Sequence, residues 1–145
     1  MIIQEIRDSE KETALRLIWD TFLIFVAPDY SQEGIETFRK FIHSDRIKEI
    51  PLFLGAFEGN SLRGVIAVDN SRSHIVCFYV APSHQGQGVG RSLWEYVLEN
   101  SKSETFTVNS SPYAVPIYHK LGFADTAAEQ TKNGIRFTPM KYNRH

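Results

Sequence analysis

The sequence predicts a single mixed α/β domain over residues 1–145, and three observations carry that prediction. Apolar residues recur at helical spacing in the first third of the chain, then in strand-like runs, then in short runs of both kinds. The dipeptides Gly59-Asn60 and Asn133-Gly134 are hairpin and turn signals beside strand-like runs. One strand-to-helix junction, "VAPSHQGQGVGRSLW" (80–94), carries glycines at alternate positions: Gly86, Gly88 and Gly90.

The elements follow in order. "IIQEI" (2–6) reads as a first strand. Ser9 and Glu12 have the S-x-x-E spacing of a capping box. Behind them Leu15, Ile18, Phe22 and Phe25 keep helical spacing, with Trp19, Leu23 and Val26 widening the stripe, and Pro28 ends the helix. "PDYSQEG" (28–34) is a loop. Ile35, Phe38, Phe41 and Ile42 mark a second helix ending near Ser44. "PLFLGAFE" (51–58) and "SLRGVIAV" (61–68) form a hairpin, and "DNSRS" (69–73) is a second turn. "HIVCFYV" (74–80) is continuously apolar, as expected of a strand buried on both faces. Residues 88–100 read as a helix with Val89, Leu93, Tyr96 and Val97 on one side. "TFTVN" (105–109) is a strand, 112–121 a short helix capped by Gly122, and "GIRFTPMKY" (134–142) a last strand. The order is β-α-α-β-β-β-α-β-α-β-β: an antiparallel meander first, then β-α-β.

Composition excludes several function classes. The formal net charge is −1 and no basic block occurs, so no nucleic-acid partner is expected. The apolar stretch "FLIFVA" (22–27) is far short of a membrane span. The N-terminus has no signal-like apolar region, which makes a cytoplasmic location the expectation. With one cysteine, Cys77, no intramolecular disulfide is possible, and scattered histidines make no metal ligand set.

Three glycines at a strand-to-helix junction suit an anion site. Backbone N–H groups and the positive end of the helix dipole meet there, and without Cβ atoms a large anion can approach. A tight turn alone would account for one glycine. The dinucleotide pattern G-x-G-x-x-G fails at Arg91, and no glycine precedes a lysine as a nucleotide P-loop requires. What matches is Gln85-x-x-Gly88-x-Gly90. It resembles the Q/R-x-x-G-x-G/A signature of the GNAT-family N-acetyltransferases. The resemblance extends through "HIVCFYVAPSHQGQGVGRSLWEYVL", through "FTVNSSPYAVPIYHKLGF" with its Y-x-K-x-G-F ending, and into "NGIRFTPMKY".

This resemblance implies the GNAT acyl-CoA N-acyltransferase fold: a mostly antiparallel sheet splayed between its fourth and fifth strands, with flanking helices. It implies acetyl-CoA as co-substrate. The pyrophosphate would lie on Gln85, Gly86, Gln87, Gly88, Val89, Gly90 and Arg91. The pantetheine arm would pair with Phe78, Tyr79 and Val80, whose last N–H faces the thioester carbonyl. Asn109 or Ser111 would bond the arm's amides, with Tyr113 and Pro116 on the same wall. Tyr118 occupies the position of the family's usual acid. His74 matches the glutamate base of histone-acetylating members, with Glu129 or water as alternatives. Period-two alternation puts His74, Val76 and Phe78 on one face, and the resemblance implies a bulge near Tyr79. The acceptor would enter beside "PDYSQEG", near Trp19, Phe25 and Tyr30, although core packing is the favoured reading for those rings. The acceptor is a small-molecule or peptide amine, and homodimers are common in the family. A non-catalytic acyl-CoA-binding or sensing module stays open as an alternative, and Tyr118 in register favours catalysis.

Overall fold

The computed structural model describes residues 1–69 and 73–144. The middle of the turn expected at 69–73 lies outside the described residues. The chain opens with β1 (Ile2–Glu5), α1 (Lys11–Phe25), α2 (Gln32–Ile42) and a single helical turn, α3 (Asp45–Lys48). Then come β2 (Leu52–Glu58), β3 (Ser61–Asp69), β4 (His74–Val80) and α4 (Val89–Glu99). They are followed by β5 (Thr105–Ser110), α5 (Val115–Leu121), β6 (Ala124–Asp125), β7 (Gln130–Lys132) and β8 (Ile135–Asn143). The sheet order is β1-β2-β3-β4-β5-β8-β6, with β7 paired to β8. Every pairing is antiparallel except β4 with β5.

That one parallel pairing positions the site. β4 and β5 meet only at His74↔Thr107 and Ile75↔Val108, and the sheet opens beyond them. One hydrophobic layer packs α4 and α5 on one face, around Leu93, Trp94, Phe106 and Tyr118. α4 lies directly on Gly64, where a side chain would collide with Val89. The other face carries α1, with Ala14 and Ile18 against Val65 and Ala67.

Several boundaries differ from expectation. The capping box forms two residues early: Glu10 accepts from the Arg7 N–H at 2.9 Å, and Ser9 and Glu12 are not its members. Leu23 is exposed, and Thr21 is buried instead. α2 starts at Gln32, because the Ser31 hydroxyl caps it by accepting from the Gly34 N–H at 3.2 Å. β4 is not fully buried. Only Ile75 and Cys77 are inaccessible, because Val76, Phe78, Tyr79 and Val80 border the opening.

The bulge in β4 is also displaced from its expected place. Ala67 pairs with Cys77 and Val68 with Ile75, so Val76 is the extra residue. The bulge reverses the facing of the strand. Val76, Cys77 and Tyr79 pack toward α1, while Phe78 and Val80 pack toward α4. Ile75 packs with the α4 layer, which puts His74 on the opposite face from Phe78, not on the same one.

Candidate active site

The splay between β4 and β5 opens into a cavity of about 1030 Å³. The cavity runs from the glycine loop, past the ends of the parted strands, to α1 and α2. Val80 presents its backbone to it. The Ala81 N–H donates to the Arg63 carbonyl at 2.9 Å, which makes Gly64↔Val80 a non-hydrogen-bonded pair. The N–H and C=O of Val80 therefore point away from β3, toward the opening. By the same alternation so do those of Phe78, while Tyr79 bonds β3. The Val80 carbonyl accepts from the Gln85 Nε2 at 3.1 Å.

At the loop, Gly86 and Gly88 have φ of 76° and 84°, and α4 starts immediately after Gly88. A side chain at either would meet nothing within 4 Å, and both glycines line the cavity at the N-terminus of α4. That geometry fits a large anion. The turn reading is partly right as well, since two of the three glycines need positive φ. Gly90 does not; it lies in α4 against Val80 and Phe78. Arg91 and Lys120 line the same end of the cavity, and the Arg91 guanidinium reaches the Lys120 carbonyl at 3.5 Å.

The opposite wall comes from β5 and α5. Asn109, Ser110, Ser111 and Tyr113 all line the cavity, so Asn109 and Ser111 are both present and neither replaces the other. The Ser111 hydroxyl accepts from the Ala114 N–H at 3.3 Å and tightens the turn into α5. Tyr113 crosses the opening: its hydroxyl donates to Gln85 Oε1 at 2.7 Å and its ring stacks on Phe25 with centroids 4.8 Å apart. Phe25, Tyr113, Gln85 and the Val80 carbonyl thus form one continuous bridge over the cleft.

Tyr118 is buried, lines the cavity and packs edge-on against Phe78 and Phe123. Burial first, and then the neighbouring Cys77, push its phenol well above the usual range. The group stays protonated at neutral pH and can act as a donor. Tyr79 faces the α1 side, and burial raises its phenol well above the usual value too. Tyr30 and Phe25 line the end of the cavity beside α1 and α2, whereas Trp19 is core, stacked on Phe22 and Phe38.

His74, Gln87, Pro116 and Glu129 do not line the cavity. His74 Nδ1 bonds the Thr107 hydroxyl at 2.8 Å at the closed end of the β4–β5 pairing. Glu129 is held by both arms of Arg136, at 3.1 and 3.2 Å. Thr21, Ser110 and Lys120 line the cavity without having been singled out from the sequence. Thr21 sits inside an otherwise apolar helical stripe, which was its only signal. No group of metal-ligating side chains occurs among the described residues. No helix there is long and apolar enough to cross a membrane.

A sheet that parts between β4 and β5, with a glycine loop at the N-terminus of α4 beside the opening, is the arrangement that the resemblance to the N-acetyltransferases implied. The acetyltransferase (GNAT) domain family model matches residues 26–144, and the chain belongs to that family. It is 29% identical over 107 residues to peptidyl-lysine N-acetyltransferase YjaB of Escherichia coli K12, covering 73% of this chain and 68% of that protein. UPF0039 protein C11D3.02c of Schizosaccharomyces pombe is 34% identical over 67 residues, 43% of this chain and 45% of that relative. Among solved structures, a GCN5-related N-acetyltransferase from Rhodopseudomonas palustris superposes with a TM-score of 0.84 at 20% identity, covering 98% of this chain and 94% of the other. PaiA N-acetyltransferase from Thermoplasma acidophilum, solved with coenzyme A, gives 0.71 at 20% identity and 98% coverage of both.

Proposed function

We propose that the chain is an acetyl-CoA-dependent N-acetyltransferase that modifies a primary amine of a small molecule or peptide. The observation that carries the reading is the parting of β4 from β5 after Ile75, with Gly86 and Gly88 lining one end of the opening and the buried Tyr118 phenol in the wall. The coenzyme A complex of a structural neighbour and the name of the YjaB relative support the same reading.

Acetyl-CoA supplies an activated acyl carbon as its thioester. The chain's own groups do the rest. The amides at the start of α4, with Arg91 and Lys120, hold the pyrophosphate. Phe78 and Val80 offer strand-like backbone bonds to the pantetheine arm, and the Val80 N–H donates to the thioester carbonyl oxygen. The amine nitrogen bonds to the acyl carbon, the C–S bond breaks, and the electron pair leaves on sulfur. Tyr118 donates a hydrogen bond to that sulfur. Its raised pKa makes it a weak acid, so it stabilises the departing thiolate more than it delivers a proton outright. Of the three routes the sequence offered for the amine's proton, His74, Glu129 and water, only water reaches the cavity.

The test is calorimetric titration with acetyl-CoA, followed by thiol release over an amine panel. Binding with turnover of at least one amine is expected. Binding without turnover of any amine would make the chain a sensing module, and no binding would end the proposal.

A further inference from the structure

We infer, building on the acetyltransferase reading, that the acceptor is a primary amine on an aromatic carrier, seated by rings of α1, α2 and β4 and by the hydroxyl of Thr21. The half of the cavity beyond the thioester position is walled by Phe25, Tyr30, Phe38, Phe41 and Tyr79. Phe25 and Phe38 already stack on other rings, on Tyr113 and Phe22, so the walls are rigid planes set by their own packing. Rigid ring faces favour a flat apolar guest through offset and edge-on contacts.

Thr21 is the second, independent observation. It lines this cavity, its residue is 3% exposed, and its Oγ1 has no hydrogen-bond partner among the described residues. Threonine in a helix ordinarily bonds back to the carbonyl one turn earlier; here it does not. A buried hydroxyl left without a partner is unfavourable; Oγ1 is also closed to water, so a polar group of a bound ligand satisfies it only by displacing the atoms that cover it.

Charge argues against a polycationic acceptor. Glu33 and Glu36 line this end, but so do Lys40 and Arg46, and the four cancel. Glu36 is further neutralised by its pairing with Arg39. A polyamine would find no net negative field here, whereas an amine with one aromatic group needs none.

The experiment is thiol release from acetyl-CoA with 2-phenylethylamine, hexylamine, spermidine and a lysine-containing peptide, using wild type, Thr21→Val and Thr21→Ser. The expected result is a kcat/KM for 2-phenylethylamine about 10-fold or more above the other three. Thr21→Val should raise its KM roughly 5- to 10-fold with kcat and acetyl-CoA affinity nearly unchanged, and Thr21→Ser should restore it. A preference for spermidine, hexylamine or the peptide overturns the inference and leaves the acetyltransferase reading standing. An unchanged KM in folded Thr21→Val also overturns it. If no amine is turned over although acetyl-CoA binds, the transferase reading itself falls, and this inference with it.

Discussion

Two single residues carry opposite ends of the proposed reaction. Gly88 has φ of 84°, and the space a side chain there would enter, just before α4, is open. A β-branched side chain there would strain the backbone and fill the space proposed for the pyrophosphate. Gly88→Val should weaken acetyl-CoA binding by about 100-fold or more, on the order of 3 kcal/mol, with the far-UV spectrum retained. Unchanged affinity in the folded variant, read by titration calorimetry, would remove the phosphate site. Tyr118→Phe deletes only the hydroxyl from a ring that also packs on Phe78 and Phe123. Turnover should fall by about 10²-fold, the low end for a lost donor, because the raised pKa limits Tyr118 to hydrogen bonding. A loss of thermal stability with normal kcat would mean that the tyrosine only packs.

At the scale of elements, the acceptor end is closed by a contact between α2 and the β7–β8 hairpin. Gly34 and Gly134 touch backbone to backbone, and a side chain on Gly34 would run into the Gly134 carbonyl. The Thr37 hydroxyl reaches the Asn133 carbonyl at 2.8 Å, and Arg136 reaches the Asp29 carbonyl at 3.1 Å. Gly34→Ala should push the hairpin off the helix, cost about 1–3 kcal/mol by overpacking, and raise the acceptor KM. Acetyl-CoA affinity should not change, because the glycine loop lies at the other end of the cavity. A parallel loss of cofactor affinity would show that the two ends are not independent. A second joint ties the far end of the molecule together. The Arg144 side chain bonds the carbonyls of Leu98, Ser101 and Ser103 at 2.6–2.7 Å, pinning the α4–β5 connection. Arg144→Met should lower stability by about 2 kcal/mol, visible as a fall of several degrees in Tm, without a selective effect on either substrate.

For the whole molecule, the buried acids set its response to alkali. Burial pushes the Cys77 thiol from 9.0 up to about 12, and burial pushes Tyr30 from 10.0 up to about 12. Tyr79 and Tyr118 are raised as well. These groups are neutral when protonated, and the fold prefers that form more strongly than the unfolded chain does. Their contribution is therefore complete below about pH 9 and is lost progressively as pH rises from about 9 toward 12. Urea midpoints should hold between pH 7 and 8.5 and fall at pH 10 and above. Cys77→Ala should be less stable at neutral pH through its small cavity, yet show a shallower decline between pH 9 and 10. An identical slope in the variant would assign the alkaline loss to the tyrosines alone. The same burial should keep native Cys77 nearly inert to thiol reagents, so that it labels only on unfolding.

The sequence by itself determined the order of the main elements and the glycine loop, each by a local rule, whereas Tyr118 became the acid candidate only through the resemblance to the GNAT family. Periodicity, Asn133-Gly134, the αL cap at Gly122 and Gln85-x-x-Gly88-x-Gly90 are written in consecutive residues. The tertiary structure alone decided what depends on register and on residues far apart in the chain. The bulge at Val76 turned His74 away from Phe78, because a one-residue insertion reverses every facing beyond it. No local pattern separates Phe25 and Tyr30, which line the cavity, from Trp19, which is core, because all three have the same helical or loop spacing. Thr21 was not singled out from the sequence; it is a buried hydroxyl on a cavity-lining residue only because α1 packs across the opening of the sheet.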